Sequence, residues 1–212
     1  MIRYRYRAKS IINLVVMLFI VAFISSCSLT TKPSSAKVEI TKDRFVQLPQ
    51  PSQLGYQVTA SQLISAQWTT AQGAQTQQLP VQLEVSNSKI VLAGFSSWGT
   101  RLLSLSYQDS QIETKVMNGL NGVLPDPEQI LFNLMITLWP KSAWHAPLDD
   151  LGWSIIESDN QRIITDETGK AIIEINYQHR QPLKGTIRFT HKSLDYLIEI
   201  QTLNYQIQQK QQ

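Results

Sequence analysis

The chain holds one cysteine, Cys27, in 212 residues. That excludes an internal disulfide framework, and beyond residue 27 it excludes a cysteine nucleophile and any cysteine-rich zinc site. Histidine is nearly as scarce. His145, His179 and His191 are the only three, and none sits at i, i+4 on an expected helix, so the usual zinc spacings are missing. Their expected roles are structural or at the surface. Charged residues are only 17% of the chain, and the basic surplus is confined to one end. Four of the 19 basic residues and none of the 16 acidic ones fall in residues 1–26, which leaves the rest at net −1. Such a balance offers no concentrated basic surface for nucleic acid. No apolar run reaches the roughly 20 residues of a membrane-spanning helix, and no internal repeat is visible. Nothing in the pattern asks for a cofactor or a metal.

What is present begins with Arg3, Arg5, Arg7 and Lys9, then an apolar run from Ile11 to Ile24, then Ser25-Ser26-Cys27. A positive segment, a short apolar segment and small residues before a cleavage point are the layout of a secretory signal. A retained transmembrane helix is the competing reading, and the run is short for it. The Ile24-Ser25-Ser26-Cys27 ending resembles a lipobox. That resemblance implies a diacylglyceryl group on Cys27, cleavage before it, and a further acyl chain such as palmitate on its amine. Each buried methylene contributes about 0.8 kcal/mol, so several chains anchor where one does not. Ser28 follows the cysteine where an Asp commonly marks retention in the inner membrane, so the expected location is the outer membrane, periplasmic face. The expected domains are a signal over 1–26, a lipidated and flexible tether over 27–43, and one domain over 44–212, a length that supports a sizeable core.

Most of that domain alternates with period two, which marks half-buried strands. Val81–Val85, Leu103–Tyr107, Ile172–Tyr177 and Leu197–Leu203 alternate most clearly. Further strands are expected at Gln57–Trp68, Lys89–Phe95, Gln111–Met117, Gly152–Glu157, Arg162–Asp166 and Gly185–Thr190. Hairpin-sized turns such as Asn87-Ser88 and Glu167-Thr168-Gly169 separate them, so a meander is expected. One segment differs. Asp126 as N-cap, Pro127 at the first helical position and Gln129 begin a helix that Pro140 stops. Its body, Ile130 to Trp139, is polar only at Asn133 and Thr137, so the helix should be buried on most sides. An earlier helical turn is expected before Leu54. The polar tail from Gln206 either frays or extends the last strand. The class is α+β: a curved antiparallel half-barrel with a buried apolar helix on its concave face.

With the anchor, this architecture resembles the LolA/LolB group of lipoprotein carriers and receptors. A nearer resemblance is to an uncharacterised bacterial lipoprotein family, domain of unknown function 3261, distantly similar to that group. It is carried by Leu54–Leu63, Leu79-Pro80-Val81-Gln82-Leu83, Gly94-Phe95-Ser96-Ser97-Trp98-Gly99-Thr100-Arg101-Leu102 and Leu138-Trp139-Pro140, and spans residues 48–203. It implies an apolar cavity that takes acyl chains, with lipid or lipoprotein as cargo. Proximity of such family members to genes for aryl polyene lipid synthesis implies, by association, a lipid-like product. Gly94–Gly99 and the Gly-rich segment Met117–Pro125 are candidate protruding tips.

Candidate cavity residues are Leu131, Leu134, Met135, Leu138 and Trp139 on the helix, with Phe95, Trp98, Trp153 and Arg101 elsewhere. Core packing is the plain reading for each apolar one, because aromatics and leucines supply buried area. Cavity lining is the alternative, since lipid pockets are apolar with few polar groups. Arg101 either faces solvent on its strand or meets a headgroup or carboxylate. Gly94–Gly99 superficially resembles a nucleophile elbow, but its second Gly is one residue late and a strand follows, so a turn is expected. Asp149-Asp150 reads as an acidic loop. No nucleophile and base are paired, so no enzyme activity is expected. The leading reading is a lipid carrier or acceptor; the alternative is an interaction module with a solid core. The oligomeric state is left open.

Overall fold

The computed structural model describes residues 36–70, 73–118 and 127–209. The expected signal, Cys27, the Asp126 cap and most of the 117–125 segment lie outside the described residues.

The first described elements correct the C-terminal part of the expected tether; residues 27–35 of it lie outside the described residues. Strands β1 (Lys37–Thr41) and β2 (Arg44–Gln47) form an antiparallel hairpin. Val38, Ile40, Val46 and Leu48 are all at most 2% exposed, so folding begins well before residue 43. Lys37, Glu39 and Gln47 face outward, so the hairpin alternates, but each strand is only five or four residues long. Asp43 turns the hairpin at φ 60°, with its N–H donated to Glu39 Oε1 at 2.9 Å. The expected turn before Leu54 is a 3₁₀ turn over Pro51–Leu54, closed by Gly55 at φ 88°. That left-handed geometry is nearly free only for glycine.

The remaining strands build one ten-stranded antiparallel sheet in the order β7-β6-β5-β4-β3-β12-β11-β10-β9-β8. The central strands are long: β3 (Tyr56–Thr70), β4 (Gly73–Val85) and β12 (Tyr196–Gln209). One wing is β5 (Lys89–Phe95), β6 (Arg101–Gln108) and β7 (Gln111–Val116). The other is β8 (Ser154–Glu157), β9 (Gln161–Thr165), β10 (Ala171–Tyr177) and β11 (Thr186–His191). Because β7 and β8 stay unpaired at the edges, the sheet is open, as expected of a half-barrel. Alternation assigns the faces: Val81, Leu83 and Val85 turn inward on β4, and Leu103, Leu105 and Tyr107 on β6.

In β12 the period breaks. A bulge between Thr202 and Asn204 leaves Leu203 unpaired and 61% exposed. The extra residue shifts parity, so Ile198 and Ile200 before it and Tyr205 and Ile207 after it all pack against the core. The polar tail extends this strand to Gln209.

Helix α1 (Pro127–Leu138) lies against the inner face, with β1 of the hairpin also packed on it. Every residue from Leu131 to Trp139 is buried. Short helix α2 (His145–Asp149) follows, and Trp144 before it meets Phe132 edge-on at 5.7 Å.

Candidate functional site

The site is built where α1 crosses the central strands. Ile64 and Ala66 of β3, Leu79 and Val81 of β4, Leu92, Leu103, and Ile198 and Ile200 of β12 turn toward the helix, which presents Ile130 and Leu134. Between them lies a cavity of about 120 Å³ whose polar contributors among the described residues are Gln77 and Asn133. Its floor is deep, with Val81, Leu92 and Leu103 each 2% exposed. Its rim is half-buried at Ile64, Ala66, Leu79, Ile130 and Ile198, and it opens toward exposed Gln77. The β3–β4 register pairs Ala66 with Gln77, which leaves a small side chain at the mouth. Gly94 matters on the same face: a Cβ there would come within 2.7 Å of Leu79 Cδ2, so its absence lets Leu79 lean over β5.

The two ends of α1 are held by different chemistry. At the C-terminal end the Arg162 guanidinium donates to the carbonyl oxygens of Ile136 and Trp139, and also to Glu157. The Tyr177 hydroxyl donates to Thr137 O at 3.0 Å. These bonds occupy carbonyls that a helix end leaves unpaired, with a cation at the favourable end of the dipole. Burial, the largest influence, pushes the Tyr177 phenol up to about 12. Among the described residues, the bonds at the N-terminal end are between neutral groups. Tyr196 donates its hydroxyl to Asn133 Oδ1 at 3.0 Å, and Gln129 Nε2 donates to Tyr196 Oη at 3.1 Å. Burial raises the Tyr196 phenol well above the usual tyrosine range.

Of the nine residues expected at the cavity, Leu134 lines it. Leu131, Met135, Leu138 and Trp139 are buried in the packed core on the remaining sides of α1, and Trp139 Nε1 donates to Gln50 O at 3.0 Å. Trp153 is likewise core, with Nε1 donated to Glu167 Oε2 at 2.9 Å. Phe95, Trp98 and Arg101 are not in the cavity. Phe95 is half-buried at the end of β5, Trp98 tips the β5–β6 turn, and Arg101 is exposed on the outer face of the sheet. The helix is apolar nearly all round, so periodicity could not say which stripe borders space. The β-strand contributors escaped notice because alternation marks them only as inward.

The remaining candidates are plainly placed. Ser96 Oγ accepts backbone N–H groups from Trp98 and Thr100, which makes Gly94–Gly99 a hydrogen-bonded turn, as expected. His145 and His179 are exposed and His191 is wholly buried. Burial lowers the His191 imidazole to about 4, against a weaker opposite pull from the Ile40 backbone. Among the described residues no group of three or more His, Cys, Asp or Glu could hold a metal, and no helix is long and apolar enough to cross a membrane.

No curated protein matches the chain. Among solved structures it is similar to a domain named for outer-membrane lipoprotein sorting from Vibrio parahaemolyticus, at 10% identity and a TM-score of 0.31, covering 75% of this chain and 88% of that one. It is also similar to a DUF1329 family protein from Desulfovibrio piger, at 6% identity and a TM-score of 0.32, covering 74% and 87%. A family model matches residues 59–204, which take in α1 and every strand of the large sheet except the ends of β3 and β12, and the chain therefore belongs to the family described as protein of unknown function DUF3261.

Proposed function

We propose that this chain is an envelope lipoprotein, anchored through acylated Cys27 at the periplasmic face of the outer membrane, that takes an acyl or polyene chain between α1 and the central strands. It acts as a carrier or acceptor, and transfer is noncovalent. The observation that supports this reading is the cavity itself: ten apolar side chains meet around a space with two polar residues, and it opens at a half-buried apolar rim. Burial of an acyl chain there contributes about 25 cal/mol per Å².

At about 120 Å³ the space is smaller than the roughly 300–1,000 Å³ of a typical small-molecule pocket. A lipid therefore enters only as the helix lifts, and the neutral N-terminal end of α1 is the end to lift. Native mass spectrometry of the chain from residue 28 onward, purified from its host's periplasm without detergent, tests the reading. A co-purifying lipid-sized mass is expected. A clean apo mass with no uptake of added fatty acid or phospholipid would sink it. The small volume favours the second reading, an interaction module with an essentially solid core, and that result would support it.

A further inference from the structure

The outer face of the β5–β7 wing carries a groove of about 420 Å³, on the opposite side of the sheet from the cavity. Ser104 and Ser106 of β6 form its floor, between longer side chains of β5 and β7. Strand register sorts the charge along it. Glu84, Val91, Ser106 and Glu113 share one row across four strands. One row nearer the β5–β6 turn, Ala93, Ser104 and Lys115 lie side by side. At the turn itself Phe95 pairs with Arg101, and the Met117 N–H donates to Leu102 O at 2.9 Å. Arg101 therefore stands at the turn and Lys115 one row behind it, the carboxylates come in the row after that, and Lys89 closes the far end of the groove.

Two further observations converge there. Arg44, Arg162, Arg180 and Arg188 each pair with a carboxylate, whereas Arg101, alone among the described arginines, does not, and Lys115 is equally unpaired. Beside them Trp98 is 90% exposed and Met117 is 42% exposed. The turn holds Trp98 out by design of its backbone. Gly99 at φ 79° closes it with an N–H bond to Ser96 O at 2.9 Å, and Ser96 Oγ takes the N–H groups of Trp98 and Thr100.

We propose that this end of the wing docks on a bilayer of anionic phospholipid, with Arg101 and Lys115 meeting headgroup phosphates and Trp98 and Met117 seated at the interface. Tryptophan favours the boundary between headgroup and hydrocarbon. Cations close to an anionic surface are drawn to it over a Debye length. The row of Glu84 and Glu113 is repelled by the same surface, which fixes the depth and the tilt of contact. The docking surface is separate from the cavity, so each can fail without the other.

The test uses the full chain in vesicles of bromine-labelled phosphatidylcholine and phosphatidylglycerol, with tryptophan quenching as the readout. A component of the quenching that is lost in Trp98→Phe is expected, since that exposed side chain supports nothing else in the fold. In Arg101→Gln/Lys115→Gln the Trp98 component should fall to its level on phosphatidylcholine alone. Any quenching by lipid held in the cavity persists in Trp98→Phe and is thereby separated. The proposal is overturned if Trp98 stays unquenched on anionic vesicles, or if its quenching ignores both cations. It is equally overturned if inorganic phosphate without vesicles shifts the Trp98 emission, which would assign the groove to a soluble anion.

Discussion

Replacing Arg162 by Met should loosen the C-terminal end of α1, and the structure sets the scale. The Arg162 side chain is 7% exposed and its partner Glu157 is 37% exposed. The guanidinium serves two buried carbonyls, Ile136 O and Trp139 O, and one carboxylate. A carbonyl that loses its donor while buried costs about 1–3 kcal/mol, and removing one member of a buried ion pair costs about 3–5 kcal/mol. Glu157 keeps part of its hydration and Met restores some packing, so the low end applies, about 3 kcal/mol. With a urea m-value of about 2 kcal/mol/M, the midpoint should fall by about 1.5 M. Arg162→Lys should recover at most about half, because one ammonium cannot reach two carbonyls and a carboxylate in a fork geometry. A midpoint shift below about 0.3 M for Arg162→Met, at unchanged m-value, would refute the claim that this side chain pins the helix.

Ile40→Ala should cost about 2–5 kcal/mol in the same assay, since Ile40 is wholly buried; a null effect would return residues 37–41 to a tether. His191 is neutral in the fold with its imidazole near 4, so above pH 6.5 it leaves stability untouched. As pH falls from 6.5 towards 4 the unfolded chain binds the proton first, and stability should drop by about 1.4 kcal/mol per unit, about 3 kcal/mol in all. His191→Leu should flatten that segment of the stability profile, and an unchanged slope would count against burial as the cause. Leu134→Ala should destabilise by about 3 kcal/mol, the lower part of the Leu→Ala range, and raise fatty-acid uptake measured by native mass spectrometry, whereas Leu131→Ala should destabilise without raising uptake. Tyr196→Phe should cost only about 1 kcal/mol in urea while speeding uptake in stopped-flow mixing; uptake at the unaltered rate would mean that the Asn133–Tyr196 bond is not a latch.

The sheet was legible where alternation was strong. Lys89–Phe95 has the boundaries its pattern implies, and Pro127 and Pro140 bracket α1 because proline enters at a helix start and cannot continue one. Strand β4 begins at Gly73, well before the expected Val81, because Gln75, Gln77 and Gln78 carry no hydrophobic signal and are held in the ladder by pairing with β3. The β1–β2 hairpin was missed because its strands span only five and four residues, so the alternation is too short to stand out from the polar segment before it. The cavity was legible only as a property of α1. Which helix stripe faces space depends on Ala66, whose side chain is a single methyl, and on Gly94, whose lack of a side chain lets Leu79 lean over β5, and such small residues give no periodic signal. The bulge at Leu203 decides which β12 residues face inward, and it is invisible to a strict period of two.

The asymmetry of α1 is what joins fold to proposed function. A helix held equally at both ends over an apolar face would be ordinary core. Here the C-terminal end is fixed by a charged fork and a phenol on three carbonyls, while among the described residues the N-terminal half meets the sheet through Gln129, Asn133 and one tyrosine hydroxyl. Charge-assisted bonds are roughly twice as strong as neutral ones, so the low-energy distortion is a swing of the N-terminal end about the C-terminal one. That motion separates Ile130 and Leu134 from Ile64, Leu79 and Ile198, the residues around the existing space. The path of least resistance through the core is thus the one that enlarges the apolar mouth, and lipid would be admitted along β3 and β4, where the sheet presents its longest continuous inner surface.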